Sequence, residues 1–272
     1  MSLYQSINEF RNKLRNGRFC LGVGISLSDP AITEALGRLT DFYWIDLEHS
    51  PIGLETLQSH LIAARAVGVP AIVRVPSSEP WFIKRVIDTG APGIIVPQVR
   101  SAEEVKRVIE TCRYRPDGDR GYGPRRASDY GQEPDYLRNA NRNLFVSVQI
   151  EHVEALPHLE EIVGLKGLDS VVVGPSDLAL SMGKAGQLSD PEVVSTIQRI
   201  TQTARAHGLF VGMGGPAQRD YVLRAVEMGV QWLQSGIDFE YMMQFVGRFF
   251  QETASQIPES IRPSWQIGEN RY

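Results

Sequence analysis

Two carboxylates stand where two apolar runs end. Leu144 to Ile150 runs into Glu151, and Val171-Val172-Val173-Gly174-Pro175-Ser176 runs into Asp177, 26 residues further on. Both runs have the length and the β-branched content of buried parallel strands. In α/β folds, ligands gather at the carboxyl ends of the strands. Two acids at that edge can hold one hard divalent ion, such as Mg2+ or Mn2+. Such ions take one or two carboxylates and leave the remaining positions to water and substrate. Either acid alone could be a helix cap or a rim ion pair; their pairing at two strand ends favours the metal.

Other strand ends add further chemistry. Glu48 and His49 follow the apolar Phe42–Leu47, and Arg74 lies near the end of Pro70–Val75. A fixed guanidinium beside a metal would stabilise an anion developing on a bound carbonyl oxygen; its plainer role is an ion pair to Glu48 or Asp46, and the two are compatible. His49 can move protons near neutral pH, or simply be a surface residue. Asp88, at the end of a helix, could orient it. Ser176 and Asp177 open a helix after the tight Gly174-Pro175 turn, so free backbone N–H groups there could receive a carboxylate. Gly212-Met213-Gly214-Gly215 could do the same or be an ordinary turn. His152 is either a rim residue or a substrate contact. No lysine ends a central strand, which counts against a Schiff-base mechanism.

These residues can meet only if the strands share one rim. Eight short apolar segments are expected as strands: 19–25, 42–47, 70–75, 93–96, 144–150, 170–173, 210–213 and 231–235. Helical patterns separate them, with start signals at Ser28-Asp29-Pro30, Ser101-Ala102-Glu103-Glu104 and Ser189-Asp190-Pro191-Glu192. Regular alternation implies a parallel sheet, and eight repeats fit a closed (β/α)8 TIM barrel. An amphipathic helix, Leu3–Leu14, precedes it. With no linker-like shift in composition, the whole chain, 1–272, is expected to be a single barrel domain. One stretch breaks the pattern: Arg113–Asp135, polar and carrying Arg113, Arg115, Arg120, Arg125 and Arg126. It is expected to be a long loop, either an anion clamp, a subunit contact or a solvated segment. The tail, Ile257–Tyr272, could pack on a neighbouring subunit or fray.

Composition narrows the classes of function. The net charge of −4 gives no footprint for nucleic acid or an anionic membrane surface. No apolar run reaches the roughly 20 residues of a membrane span, and the polar start lacks a signal-peptide core. A cytoplasmic location is therefore expected. Cys20 and Cys112 have no CxxC spacing and read as buried thiols rather than a disulfide or a catalytic group.

Taken together, Asp46-Leu47-Glu48-His49-Ser50-Pro51, Val73-Arg74-Val75, Asp88-Thr89-Gly90-Ala91, Ile95-Val96-Pro97, Arg120-Gly121, Gln149-Ile150-Glu151 and Gly174-Pro175-Ser176-Asp177-Leu178 resemble the HpcH/HpaI aldolases. These are metal-dependent class II pyruvate aldolases on a (β/α)8 barrel, among them 4-hydroxy-2-oxoheptanedioate and 2-dehydro-3-deoxyglucarate aldolases. The likeness spans about Gly17 to Phe239, with the blocks in order.

It implies Glu151 and Asp177 as ligands of Mg2+, Mn2+ or Co2+, and Arg74 as the group that polarises the pyruvate carbonyl and stabilises the enolate. His49 would be the acid/base element, working through water with Asp88 as its dyad partner. The Ser176 and Asp177 amides, beside Gly174, would hold the pyruvate carboxylate, and Gln149 would lie near the metal. Leu47, Gln98 and His152 stand where many members have glycine, methionine and threonine. The implied reaction is reversible cleavage of a 4-hydroxy-2-oxo acid to pyruvate or a pyruvate analogue and an aldehyde, by a homo-oligomer, a hexamer or another dimer-based assembly, with no nucleic-acid or membrane partner. The alternatives are a related enolate enzyme, such as a CoA-ester lyase or a citrate-forming condensing enzyme, a phosphoenolpyruvate-type enzyme, and a non-catalytic barrel that binds a small acid.

Overall fold

The computed structural model describes residues 3–263. Eight parallel strands close on themselves in sequence order: β1 (Cys20–Ile25), β2 (Phe42–Asp46), β3 (Ala71–Arg74), β4 (Gly93–Val96), β5 (Phe145–Ile150), β6 (Ser170–Val173), β7 (Phe210–Gly215) and β8 (Trp232–Ile237). Each expected strand is present, with ends shifted by a residue or two. The helices around them are α1 (Gln5–Arg15), α2 (Ala31–Leu36), α3 (Leu54–Val67), α4 (Pro80–Asp88), α5 (Ala102–Cys112), α6 (Tyr136–Asn143), α7 (Leu159–Val163), α8 (Pro175–Ser181), α9 (Pro191–Ala206), α10 (Arg219–Glu227) and α11 (Asp238–Ser255). The fold is a (β/α)8 barrel. Among the described residues, no helix is long and apolar enough to cross a membrane.

Alternation along the strands sorts the side chains into two cores. Outward residues such as Tyr43, Ile45, Val73 and Val171 pack under the helices. Inward residues stack in layers, as barrels require. The lower layer is aromatic: Phe42, Phe145 and Trp232 meet edge-to-face, and Phe10 of α1 closes the bottom against all three at 5.4–6.0 Å. Above it lie Trp44, Ile72, Ile95 and Val172. Polar groups concentrate at the top of the interior; below them intrude the small hydroxyls of Ser147 and Ser170, the latter accepting from Trp232 Nε1 at 3.0 Å. Asp46 pairs directly with Arg74 across β2 and β3, and Gln149 lies level with Val172 across β5 and β6.

The Arg113–Asp135 segment differs from both a clamp and a solvated loop. By Cys112, α5 has carried the chain to the opposite end of the barrel from the strand tips. There, Arg113 donates to the Leu144 and Gly167 carbonyls at 3.1 and 2.7 Å, and Arg126 donates to the Thr89 carbonyl at 3.0 Å. Arg120 pairs with Asp88 at 2.7 Å and lies over the Tyr114 ring. Three of the five arginines are thus buried structural anchors. A hydrophobic pattern did not reveal the segment because cationic side chains build its interior. The tail expectation concerns mainly residues 264–272, which lie outside the described residues; 257–263 include a short turn of 3-10 helix, Glu259–Ile261.

Candidate active site

The β2–β3 register sets the first part of the rim. Asp46 and Arg74 are neighbours on the inward face, so the carboxylate meets the guanidinium side-on. Arg74 Nε donates to Asp46 Oδ1 at 2.8 Å and Nη2 to Oδ2 at 2.6 Å. This bidentate fork leaves Nη1, which lies 3.1 Å from Glu48 Oε2. The guanidinium also sits over the Trp44 ring, 5.4 Å from its centroid. Glu48 is enclosed enough that burial raises its pKa, against the opposing pull of Arg74. His49 points outward, with Nε2 3.5 Å from Glu48 Oε2 and its side chain 59% exposed.

The second part comes from β4, β5 and β6. Glu151 stands two residues beyond Gln149 and so shares its inward face. It is buried, at 2% exposure. Its Oε1 accepts the Gln98 backbone N–H at 2.8 Å, and its Oε2 accepts from the Gln149 amide. Both donors are neutral, and among the described residues no basic side chain forms an ion pair with it. Burial pushes its pKa up to about 7, with the Gln98 bond opposing and the charge of Asp177 adding to the rise. Gly174 leaves the room this carboxylate needs: a methyl there would collide with it and come within 2.7 Å of Gln149 Nε2. Asp177, exposed in the first turn of α8, shares with Glu151 a cavity of about 180 Å3, also lined by Gln98, His152, Leu180 and Ser181.

These residues suit a divalent ion. A buried carboxylate lacks a cationic partner, a second acid faces the same cavity, and the Gln149 Oε1 is buried without a hydrogen-bond partner. Among the described residues no cluster of three or more His, Cys, Asp or Glu side chains forms a closed metal cage. Two acids with open positions would leave space for substrate and water.

Several expectations change. Arg74, Gln149, Glu151, Gly174, Ser176 and Asp177 do converge at the rim. Asp88 does not. It ends α4, whose nine residues rise roughly 13 Å away from the rim, and its carboxylate is taken by Arg120. Within one chain it cannot partner His49. Gly212–Gly215 continue β7 instead of forming an anion-binding turn; Gly212 and Gly215 clear space for the Trp232 and Tyr221 rings. Gln98 went unrecognised as a site residue. It adopts φ 57°, a region that non-glycine residues rarely visit without a local demand. That turn directs its N–H to Glu151 and its amide to Glu48 Oε1 at 3.0 Å. Its position just past the β4 tip, after Val96-Pro97, was the available signal.

Known proteins share the sequence pattern and the fold of this chain. The sequence pattern of the HpcH/HpaI aldolase/citrate lyase family matches residues 22–243. A 5-keto-4-deoxy-D-glucarate aldolase of Citrobacter koseri is 37% identical over 234 residues, 85% of this chain and 90% of that protein. The crystal structure of an HpcH/HpaI aldolase/citrate lyase family protein from Burkholderia cenocepacia J2315 superposes with a TM-score of 0.85 at 29% identity, covering 90% of this chain and 99% of that one. The citrate synthase SbnG superposes with a TM-score of 0.81 at 31% identity, over 90% of this chain and 97% of its own.

Proposed function

Because the chain belongs to the HpcH/HpaI aldolase/citrate lyase family and is a class II, metal-dependent carbon–carbon lyase acting on small molecules, we propose that it cleaves a 4-hydroxy-2-oxo acid to pyruvate and an aldehyde, reversibly, with Mg2+, Mn2+ or Co2+. The relative that acts on 5-keto-4-deoxy-D-glucarate supports a six-carbon sugar diacid as the first substrate to test. The observation that carries the reading is the buried Glu151 carboxylate, in no ion pair with a basic side chain among the described residues, sharing one cavity with Asp177.

Glu151 and Asp177 would hold the ion, with Gln149 and the Gln98 N–H orienting Glu151. When bound, such an ion supplies Lewis-acid polarisation of the 2-oxo group. Arg74 stabilises the negative charge that develops on the pyruvate half as the carbon–carbon bond breaks. Asp46 keeps its aim. The first-turn amides of Ser176 and Asp177 have no intrahelical acceptor and would receive the pyruvate carboxylate. His49, exposed beside Glu48, would exchange the 4-hydroxyl proton through water. The cavity, about 180 Å3, falls below the roughly 300–1,000 Å3 of sites for drug-sized ligands, which suits a small acid. The exposed apolar side chains of α11, among them Met243, Phe245 and Phe249, support a homo-oligomer.

The test is pyruvate release from a panel of 4-hydroxy-2-oxo acids, with each ion and with chelator. Metal-dependent release is expected. Full release in excess chelator would overturn the reading, and no release with metal bound would redirect it to citrate-type condensation.

A further inference from the structure

The active-site cavity carries two polar groups that no step above uses. His152 lines it next to Glu151 and caps the 3-10 turn Val153–His158, its Nδ1 accepting the Glu154 N–H at 3.2 Å. A ring nitrogen that accepts from a backbone N–H cannot carry the proton, so the neutral ring carries it on Nε2. Nε2 has no protein partner among the described residues. Across the cavity, the Gln98 amide gives its Nε2 hydrogen to Glu48 Oε1 at 3.0 Å. That bond to a carboxylate fixes which end of the amide is which, and it leaves the Gln98 carbonyl oxygen as an acceptor with no partner among the described residues. Leu180, 61% exposed, supplies the apolar side wall.

One donor and one acceptor on a small cavity match a hydroxyl group, which both donates and accepts. Resting on the aldolase reading, we propose that His152 Nε2–H and Gln98 Oε1 bind a hydroxyl on the aldehyde half of the substrate, at the carbon next to the one that becomes the aldehyde. The enzyme would then select 2-hydroxyaldehyde products over plain alkyl aldehydes. Selection by a hydrogen-bonding site is strong because the analogue that lacks the hydroxyl leaves the site's polar groups unpaired. Here the cavity is open to water, which moderates the penalty.

The experiment compares kcat/KM for 4-hydroxy-2-oxopentanoate and 4,5-dihydroxy-2-oxopentanoate, which differ by that one hydroxyl, with Mg2+ present. Wild type should prefer the dihydroxy acid by at least about tenfold, equivalent to about 1.4 kcal/mol. His152→Asn and Gln98→Met should each reduce that ratio several-fold. Asn retains a side-chain oxygen able to cap the Glu154 N–H but lacks the Nε2–H, so the variant separates capping from recognition. A wild-type ratio near one, or a ratio unmoved in both variants, overturns the proposal. Deuterium exchange into pyruvate by the wild type separates the two levels. Exchange without cleavage of either acid sinks the hydroxyl subsite alone; neither exchange nor cleavage sinks the aldolase reading together with it.

Discussion

Asp46 grips Arg74 with both oxygens, 2.8 Å to Nε and 2.6 Å to Nη2, from the register-paired position on the neighbouring strand. The guanidinium therefore has one aim, set by backbone pairing. Lysine cannot reproduce a fork of this kind. Arg74→Lys is expected to lower kcat by about 100-fold or more, with the protein still folded. Asp46→Asn, which loosens the fork but keeps the charge of Arg74, should lower kcat about tenfold with a smaller effect on KM. Steady-state kinetics on pyruvate release checks both.

Glu151 makes the metal-free protein sensitive to pH in a definite direction. Its pKa is ordinarily 4.5 and is raised to about 7 in the fold. Below 4.5 it is neutral in both folded and unfolded chains and contributes no difference. Between 4.5 and 7 the folded state binds more proton than the unfolded state, so stability falls as pH rises, by up to ~3 kcal/mol in total. In chelator, the Tm of the wild type should drop across this window relative to Glu151→Gln, which has no charge to bury. Added Mg2+ should raise the wild-type Tm more at pH 8 than at pH 5.5 and leave Glu151→Gln unmoved. Parallel pH profiles for the two proteins in chelator would contradict this account.

Gly174 is a space requirement for that carboxylate. A methyl would collide with Glu151 and the Gln149 amide. Gly174→Ala is expected to displace the ligand and weaken metal binding by about 10–100-fold, the range for disturbed supports of metal ligands. Calorimetric titration with Mn2+ reads this directly, independent of turnover.

Asp88 and His49 should separate cleanly. Asp88 neutralises Arg120, whose side chain is 1% exposed, so Asp88→Asn leaves a buried cation unpaired at a cost of about 3 kcal/mol and lowers Tm by roughly 10 °C. His49→Ala removes an exposed side chain and should leave Tm in place while kcat falls by about 100-fold. Thermal unfolding and kinetics on the two variants distinguish the roles.

Strand order and most of the rim were legible in the sequence because both follow from short-range rules. Apolar runs bounded by turn residues gave eight strands, and period-two alternation brought Gln149 and Glu151 to one face. The ion pairs of Arg74 to Asp46 and Glu48 were expected, but the side-on fork needed the β2–β3 register, which no local pattern supplies. Asp88 lies away from His49 within the chain for a related reason. Its neighbours in sequence belong to a rim-to-base helix, and only the direction of α4 reveals which end it occupies. Arg113, Arg120 and Arg126 looked like a charged loop because burial of a paired cation leaves no hydrophobic trace. Gln98 was hidden by a backbone turn into positive φ that glycine or asparagine would have advertised and glutamine does not.

The central claim is that Glu151, Asp177 and Arg74 activate pyruvate through a divalent ion. Deuterium exchange at the pyruvate methyl, followed by proton NMR in deuterium oxide, tests it without needing the aldehyde partner. Exchange that depends on Mg2+ or Mn2+, stops in excess chelator and is lost in Glu151→Gln and Arg74→Lys is the predicted result. Exchange at the wild-type rate in chelator, or in either variant, would contradict the account.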